Sequence, residues 1–433
     1  MIFLLPIKSG LVQSNYNSII CSMFSSSYFS LIASFHLITG ACLTPMLCAQ
    51  TEVVAETDQS ETSKNYLQQT QVKSLLVIQL ANGKFAGTAS QMNATVVTKP
   101  KTSSSTKFKI GYNQAVGKMM TGANVEVDKF IRVRYADKLP NDMSIEFSFA
   151  DKYSPKDGPS AGVVCALMVD SILSGDEIDP GFAATGAMTA TGEVQPVGGV
   201  PSKIKGAVRK KCTHVAIPVK NKGSITDAYI LKGIESLYKT QIFTIETFEE
   251  ARALALLNRD ENTQNSMKEF SSVMEVLEKN ESYLYNKKVK EKLRNIVKLT
   301  PNHLSARLLY LHSVKKQPKS LSLSGSITGI DNAGSTLSRI LDNKSFLTQG
   351  GFGDDKLSDL VSELNRLRPM LDKRTIKYAD SYIDVSRFIK RHRARKTWND
   401  QLRRELNALA TSIHTERNTL TNDEDIMEEL LDQ

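Results

Sequence analysis

The sequence predicts an α+β domain over residues 66–258, followed by an all-α region over residues 259–433. The chain of 433 residues exceeds the size at which a single hydrophobic core stops growing. Up to residue 258, strand-like segments precede and interleave with helical segments, whereas beyond Arg259 the patterns are helical and rich in Leu, Lys and Glu. With 41% apolar and 23% charged residues, most of the chain can bury a core.

Strands are predicted where apolar residues form short runs or alternate with polar ones. Alternation is clear at Ile145, Phe147 and Phe149, and it also occurs at Ile131, Val133 and Tyr135. The predicted strands cover residues 75–80, 125–135, 145–149, 215–218 and 242–245.

Helices are predicted on both sides of the later strands. Residues 160–174 are apolar on nearly every side and are followed by Gly175, which indicates a buried helix with a glycine stop. Residues 248–257 are predicted to form the closing helix of the domain.

The C-terminal region contains one helical pair and one interruption. Two helices are predicted within residues 287–315, around Thr300-Pro301-Asn302, and together they are similar to one tetratricopeptide unit without a second copy. The Ser/Gly-rich composition of residues 319–335 predicts a flexible loop.

The N-terminal segment has the composition of an export signal. Lys8 is the only charged side chain before residue 52, and residues 29–47 are largely apolar. We therefore expect a signal peptide or membrane anchor over residues 1–50, with a buried N-terminal helix as the alternative, and a polar linker over residues 51–65. The expected location is the periplasm or the extracellular space, with membrane contact through this segment if it is retained.

Charge and cysteine content exclude several classes of site. The net charge of +9 is spread along the chain, so no nucleic-acid partner is expected. Only Cys165 and Cys212 lie in the body of the chain, without C-x-x-C spacing or a His/Cys cluster. Neither a disulfide framework nor a metal or other cofactor is therefore expected.

Ser160 is the first candidate for catalysis. It lies where a loop meets the predicted buried helix, so free backbone N–H groups and the positive end of the helix are close to its hydroxyl. These groups are suited to stabilising an oxyanion during acyl transfer, and Gly158 and Gly162 permit a substrate backbone to approach closely. A serine needs a base, but His214, the only histidine of the domain, directly precedes a predicted strand.

Lys203 is the candidate base. It follows Pro201 in a predicted helix, beside Ile204, Ala207 and Val208 on an apolar face. A lysine acts as a base only if burial lowers its pKa from about 10.4 towards 7–8, which corresponds to roughly 3–4 kcal/mol. A surface lysine at the rim of an amphipathic helix is the alternative that composition alone leaves open.

Two octapeptides carry a family resemblance. Residues 155–162, PKDGPSAG, resemble the nucleophile motif of the Lon protease family, and residues 196–203, PVGGVPSK, resemble its lysine motif. The resemblance implies a Lon-type proteolytic domain that cleaves polypeptides and assembles as a homo-oligomer, with Ser160 as nucleophile and Lys203 as general base. The supporting residues that it implies are Thr185, Asp157, Gly158 and Ala161.

The sequence also departs from the family pattern. Ala187 stands where the family usually has glutamate, and Thr191 stands where arginine is frequent. No G-x-x-x-x-G-K-[ST] loop occurs in the sequence, so we expect a serine endopeptidase that works without ATP through an acyl-enzyme intermediate.

Two other functions remain open at this stage. Residues 158–162 also fit the G-x-S-x-G motif of α/β-hydrolase esterases, which would require an acid and a histidine after the serine. A Lon-like domain that has lost activity and serves as a scaffold is the non-enzymatic alternative. In either case the helical tail could bind a protein partner.

Overall fold

A computed structural model describes residues 66–79, 85–98, 107–150, 156–342, 353–392 and 398–422. The signal or anchor predicted over residues 1–50 lies outside these residues, as do the whole linker predicted over residues 51–65 and the first residue of the nucleophile motif. None of the helices in the described ranges is both long and apolar enough to cross a membrane.

Up to residue 258 the chain begins with three consecutive strands, and strands and helices then interleave. In order they are β1 (Gln69–Gln79), β2 (Phe85–Thr98), β3 (Lys109–Tyr112), α1 (Lys118–Tyr135), β4 (Met143–Phe149), α2 (Gly162–Ser174), β5 (Phe182–Ala184), β6 (Ala187–Met188), β7 (Val194–Gln195), α3 (Val200–Arg209), β8 (His214–Pro218), α4 (Lys222–Lys232), α5 (Glu235–Tyr238), β9 (Gln241–Ile245) and α6 (Phe248–Ala255).

Seven of the strands form one mixed sheet in the order β3-β4-β2-β1-β5-β8-β9. Strands β1 and β2 pair antiparallel, as do β2 and β4, whereas β1, β5, β8 and β9 run parallel to one another. One face of the sheet is covered by α1, α2 and α6, which bury a core that includes Phe147, Phe182 and Phe248. Helices therefore cover a sheet that is hydrophobic on both faces.

The C-terminal region consists of helices in the described residues. They are α7 (Glu261–Lys279), α8 (Lys287–Leu299), α9 (Leu304–Ser313), α10 (Leu323–Asp342), α11 (Asp354–Leu367), α12 (Ile376–His392) and α13 (Asp400–Asn422). The predicted fold class, an α+β domain followed by an all-α region, is confirmed.

These C-terminal helices belong to two different cores. Helices α7, α8 and α9 cover the second face of the sheet together with α3, α4 and α5, and Phe270 and Leu293 share one hydrophobic cluster with Val215 and Ile242. Helices α10–α13 form a third cluster of their own, against which Ile230 and Leu231 of α4 also pack. The first three helices of the tail therefore complete the packing of the sheet.

Several predicted elements are confirmed. The buried helix after Ser160 is a 3₁₀ turn, Pro159–Ala161, followed by α2, and Gly175 ends it with a left-handed φ of 82°. The predictions for residues 215–218, 242–245 and 248–257 correspond to β8, β9 and α6. The helical pair within residues 287–315 corresponds to α8 and α9.

The strand predicted over residues 125–135 was wrong, because this segment is the C-terminal part of α1. Met120, Val127 and Ile131 are buried at helical spacing, whereas Val133 is 77% exposed. The alternation at the end of the segment was too short to outweigh the helical period of the whole segment.

The flexible loop predicted over residues 319–335 was also wrong, because most of it belongs to α10. Leu323, Ile327 and Ile330 are buried at helical spacing in the third cluster. A Cβ atom at Gly334 would lie 2.4 Å from the Tyr382 ring. Glycine serves close packing between helices here, which composition alone cannot distinguish from flexibility.

Candidate active site

Ser160 lies in the 3₁₀ turn that leads into α2. Its carbonyl oxygen accepts hydrogen bonds from the Gly186 backbone N–H at 3.0 Å and from the Thr185 hydroxyl at 3.2 Å. At the start of α2, the backbone N–H of Gly162 donates to the Pro159 carbonyl oxygen, and that of Val163 donates to the Gly186 carbonyl oxygen at 3.2 Å. The segment after β5 thus holds the loop of residues 156–161, which we call the nucleophile loop, in place through the backbone of Ser160.

Asp157 holds the other side of this loop. Its carboxylate accepts hydrogen bonds from the backbone N–H groups of Met120, at 3.0 Å, and Gly158, at 2.8 Å, and so connects the loop to the first turn of α1. Gly158 adopts a φ of +117°, a conformation that side-chain-bearing residues rarely adopt. Asp157 and Gly158 therefore shape the loop.

Lys203 occupies the first turn of α3, after Gly199 in the left-handed conformation and Pro201. Only 3% of Lys203 is exposed, so the surface-lysine alternative does not hold. Burial lowers the pKa of Lys203 from an ordinary 10.5 to about 8. A substantial fraction of this amine is therefore neutral in mildly alkaline solution and able to accept a proton.

Two glycines that sequence analysis did not single out allow α3 to reach this position. A Cβ atom at Gly87 of β2 would lie 1.8 Å from the Ser202 carbonyl oxygen, and one at Gly206 would lie 2.6 Å from the backbone of Thr88. Helix α3 therefore packs backbone to backbone against β2. An isolated glycine within a strand is the signal that could have indicated such a contact.

Thr185 connects the base to the nucleophile loop. Lys203 Nζ donates a hydrogen bond of 2.9 Å to Thr185 Oγ1, and the same hydroxyl donates to the Ser160 carbonyl oxygen. Thr185 is fully buried, and its backbone N–H bonds to the Ala216 carbonyl oxygen of β8 at 3.2 Å. A rigid position in the centre of the fold therefore sets the direction in which the Lys203 amine points.

Ser160 and Lys203 line the same cleft, which has a volume of about 890 Å³. The floor and walls come from the end of β1, the start of α1, the nucleophile loop and the turn before α3. Ala161 is 2% exposed and lies behind the cleft. The other lining residues are Leu76, Val77, Ile78, Met120, Lys156, Asp157, Gly158, Pro159, Pro196, Val197, Gly198, Gly199 and Ser202.

The histidines lie elsewhere in the described part of the chain, and none of them lines this cleft. His214 is fully buried, contacts the Leu254 carbonyl oxygen and Arg259, and has its pKa lowered to about 4 by burial first and by Arg259 second. His303 is buried between the rings of Phe243 and Phe270. Among the described residues, the cleft that Ser160 lines thus holds lysine side chains and no histidine, which the esterase alternative would require.

The described residues also contain no group of three or more His, Cys, Asp or Glu side chains that could hold a metal ion. Ala187 and Thr191, the two departures from the family pattern, lie in the small β6–β7 hairpin. There the Thr191 hydroxyl bonds to the Thr189 hydroxyl at 2.7 Å.

Comparison with known proteins gives a consistent assignment. The family model of the Lon protease (S16) C-terminal proteolytic domain matches residues 118–256, which include Ser160, Thr185 and Lys203. The Lon protease of Fervidobacterium nodosum is 33% identical over 142 residues, which are 32% of this chain and 16% of that protein. The Lon protease of Leptospira interrogans is 32% identical over 149 residues, or 34% of this chain and 17% of that protein.

A third relative, the Lon protease of Borrelia duttonii, is 34% identical over 107 residues, which are 22% of this chain and 13% of that protein. The chain thus covers about one sixth or less of the length of these three relatives. Residues 118–256 of the chain therefore match the C-terminal proteolytic domain of the Lon protease (S16) family.

Proposed function

We propose that this protein is a serine endopeptidase in which Ser160 is the nucleophile and Lys203 is the general base. The observation that carries the proposal is the Lys203 amine, which is buried, has a lowered pKa and is held by Thr185 in the cleft that Ser160 lines. These are the properties that a lysine needs in order to act as a base near neutral pH.

In the first half of the reaction, neutral Lys203 Nζ takes the proton of the Ser160 hydroxyl while Oγ attacks the peptide carbonyl carbon. Backbone N–H groups of the turn that carries Ser160 stabilise the resulting oxyanion. Lys203 then transfers its proton to the leaving amine, the C–N bond breaks, and the acyl group remains on Ser160 Oγ. In the second half, Lys203 takes a proton from water while the water oxygen attacks the ester carbonyl carbon. The bond between that carbon and Ser160 Oγ then breaks, the peptide fragment leaves as a carboxylic acid, and Lys203 returns the proton to Ser160 Oγ.

An open strand edge favours a polypeptide as the substrate. Strand β1 pairs with β5 only at Lys73 and Ser74, although β1 continues to Gln79. No described strand pairs with the same edge beyond Ser74, and Leu76, Val77 and Ile78 on this stretch line the cleft. An extended substrate can add to such an edge through main-chain hydrogen bonds, which a small ester cannot do.

The half-exposed side chains of Val77 and Ile78 provide an apolar surface beside the edge. Unfolded polypeptides offer both an extended backbone and apolar side chains, whereas folded proteins offer neither at most of their bonds. We therefore propose unfolded polypeptides as the substrate class. Because the sequence holds no phosphate-binding loop, we propose that their cleavage needs no ATP.

The test is the cleavage of unfolded casein by the purified protein, with and without ATP. Ser160→Ala and Lys203→Gln should each abolish cleavage while circular dichroism stays unchanged, and Lys203→Arg should also fail because a guanidinium stays protonated. Lys205→Gln, an exposed lysine on the same helix, is the matched control and should retain activity. Full activity of Lys203→Gln would exclude the mechanism, and stimulation by ATP would contradict the proposed energy independence.

The assembly and location of the protein are separate proposals. We propose a homo-oligomer formed through residues 66–258, which light scattering of the active protein would test, and a monomer with full activity would contradict it. We also propose an exported protein, anchored or released, whose N-terminus should be found after about residue 49–55 by mass spectrometry of the native protein. A native protein that begins at Met1 would count against a cleaved signal.

A further inference from the structure

A second cavity, of about 350 Å³, lies on the face of α3 opposite to Lys203. It is bounded by α3, α4 and α5, and its floor is apolar, formed by Pro201, Ile204, Val208, Ile225 and Ala228. We call this cavity the α3–α4 groove. Its surroundings contain no part of the Ser160 cleft, so it serves no step of the proposed hydrolysis.

Four cationic side chains surround the apolar floor, namely those of Lys205, Arg209, Lys232 and Lys239, against the single carboxylate of Glu235. Lys239 lies within 3.9 Å of Glu235 and 3.5 Å of Glu278, and Arg209 donates to the Gly87 carbonyl oxygen. Lys205 and Lys232 form no ion pair with any described residue. The rim thus carries positive charge that its own surroundings do not neutralise.

Lys205 and Lys232 are close to each other across the groove. Burial first, and the neighbouring ammonium of Lys205 second, lower the pKa of Lys232 to about 8. A carboxylate placed between the two lysines would relieve this repulsion. The groove therefore fits an occupant with an apolar centre and acidic flanks.

The last residues of this chain have that composition. Residues 423–433, DEDIMEELLDQ, contain six acidic side chains and no basic one. Their apolar residues, Ile426, Met427, Leu430 and Leu431, recur at a spacing of four, which would place them on one face of a helix. These residues lie outside the described part of the chain.

We propose that the α3–α4 groove binds residues 423–433 of the same chain, with the apolar side chains on the floor and the carboxylates at Lys205 and Lys232. Charge complementarity favours this occupant over the predominantly basic remainder of the chain. The interaction is independent of whether the Ser160 cleft hydrolyses peptides.

Contacts among the described helices place α13 near the groove. Arg417, near the end of α13, bonds to Asp331 of α10 at 3.2 Å. Ser322, directly before α10, bonds to Asp227 of α4 at 2.8 Å, and the next residue, Ala228, lines the groove. About 13 Å separates Asp331 from Ser322 along the helix.

The experiment measures the binding of a fluorescein-labelled peptide of residues 422–433 to full-length protein by fluorescence anisotropy. In one protein variant, the tail-polar variant, the four apolar residues of the tail are changed to serine, which should free the groove. The peptide should bind to this variant at least tenfold more tightly than to the wild type, in which the chain's own tail competes. Equal binding to both proteins would overturn the proposal.

Matched variants identify the site. In the tail-polar background, Lys232→Glu should weaken peptide binding at least tenfold, and the milder Lys232→Gln should weaken it at least threefold. Lys298 is an exposed lysine on α8, so Lys298→Glu is the control and should leave peptide binding within twofold. Thermal melting establishes that each variant is folded, and Lys205→Gln provides a second test of the rim. Binding that is unaffected at both lysines would place the peptide elsewhere.

Two further measurements test whether the apolar side chains of the tail are needed for binding and whether the tail and the groove belong to the same molecule. A peptide with the same four apolar residues replaced by serine should not bind measurably, and equal binding would mean that charge alone attracts the tail. The difference between wild type and tail-polar variant should persist when the protein is diluted tenfold, because the competing tail belongs to the same molecule. Loss of the difference on dilution would indicate docking between copies and would overturn the intramolecular arrangement.

Discussion

Replacing Lys203 with methionine should abolish activity and at the same time stabilise the folded protein. The fall in the pKa of Lys203 from 10.5 to about 8 corresponds to roughly 3 kcal/mol of unfavourable free energy for holding the charged amine in its buried position. Methionine has a similar length and no charge. The lost hydrogen bond to Thr185 subtracts about 1 kcal/mol, and Thr185 keeps its bond to the Ser160 carbonyl oxygen.

The net gain in the free energy of unfolding should therefore be about 2 kcal/mol near pH 7, which corresponds to a rise in Tm of roughly 4–8 °C for a domain of this size. The pH dependence provides a stricter test. Below pH 8 the amine is protonated in both states, and the folded wild type carries the full penalty. Between pH 8 and 10.5 only the unfolded state keeps the proton, so the stability of the wild type rises with pH and the advantage of the variant disappears.

The assay is chemical denaturation of wild type, Lys203→Met and Lys298→Met at several pH values between 6.5 and 10.5. Lys298 is exposed on α8, and its replacement should change stability by no more than about 0.5 kcal/mol. A Lys203→Met protein that is less stable than wild type at pH 7, or a gain that does not change with pH, would refute the reasoning that this lysine is held desolvated for catalysis.

Three further predictions concern the position of Lys203 and the stability of the fold. Thr185→Val removes the hydroxyl that accepts a hydrogen bond from the Lys203 amine, so kcat should fall at least about tenfold. The midpoint of the pH–rate profile should move to lower pH, because the charged amine loses a hydrogen bond. An unchanged profile would contradict a positioning role for Thr185. Gly87→Ala should displace α3, because the added Cβ atom would clash with the Ser202 carbonyl oxygen, and should lower the rate of casein cleavage by about 100-fold. Gly111 has open space around it, so Gly111→Ala is the control and should leave the rate of casein cleavage unchanged. Asp170→Ala should destabilise the fold by about 3–5 kcal/mol in urea denaturation, because this buried carboxylate neutralises two arginines, and a loss below 1 kcal/mol would show that those arginines find other partners.

Some properties could be predicted from the sequence because they depend on residues that are close together along the chain. The apolar run after Ser160 and the glycine that follows it specified a buried helix, and the two octapeptides identified Ser160 and Lys203. The two wrong predictions share one cause. Residues 125–135 and 319–335 were judged by local alternation and by composition, whereas their packing partners lie far along the chain, as Tyr382 does for Gly334.

The sequence by itself singled out Ser160 and Lys203 as the predicted pair, and it left open whether that lysine is buried. Only the tertiary structure decided this, because the burial of Lys203 depends on Gly87, 116 residues earlier, and its orientation depends on Thr185, which directly follows β5. A pKa is set by the solvent and charges within a few ångströms of a group. Those neighbours come from β2, β5 and α3, and only the packing of these elements brings them together.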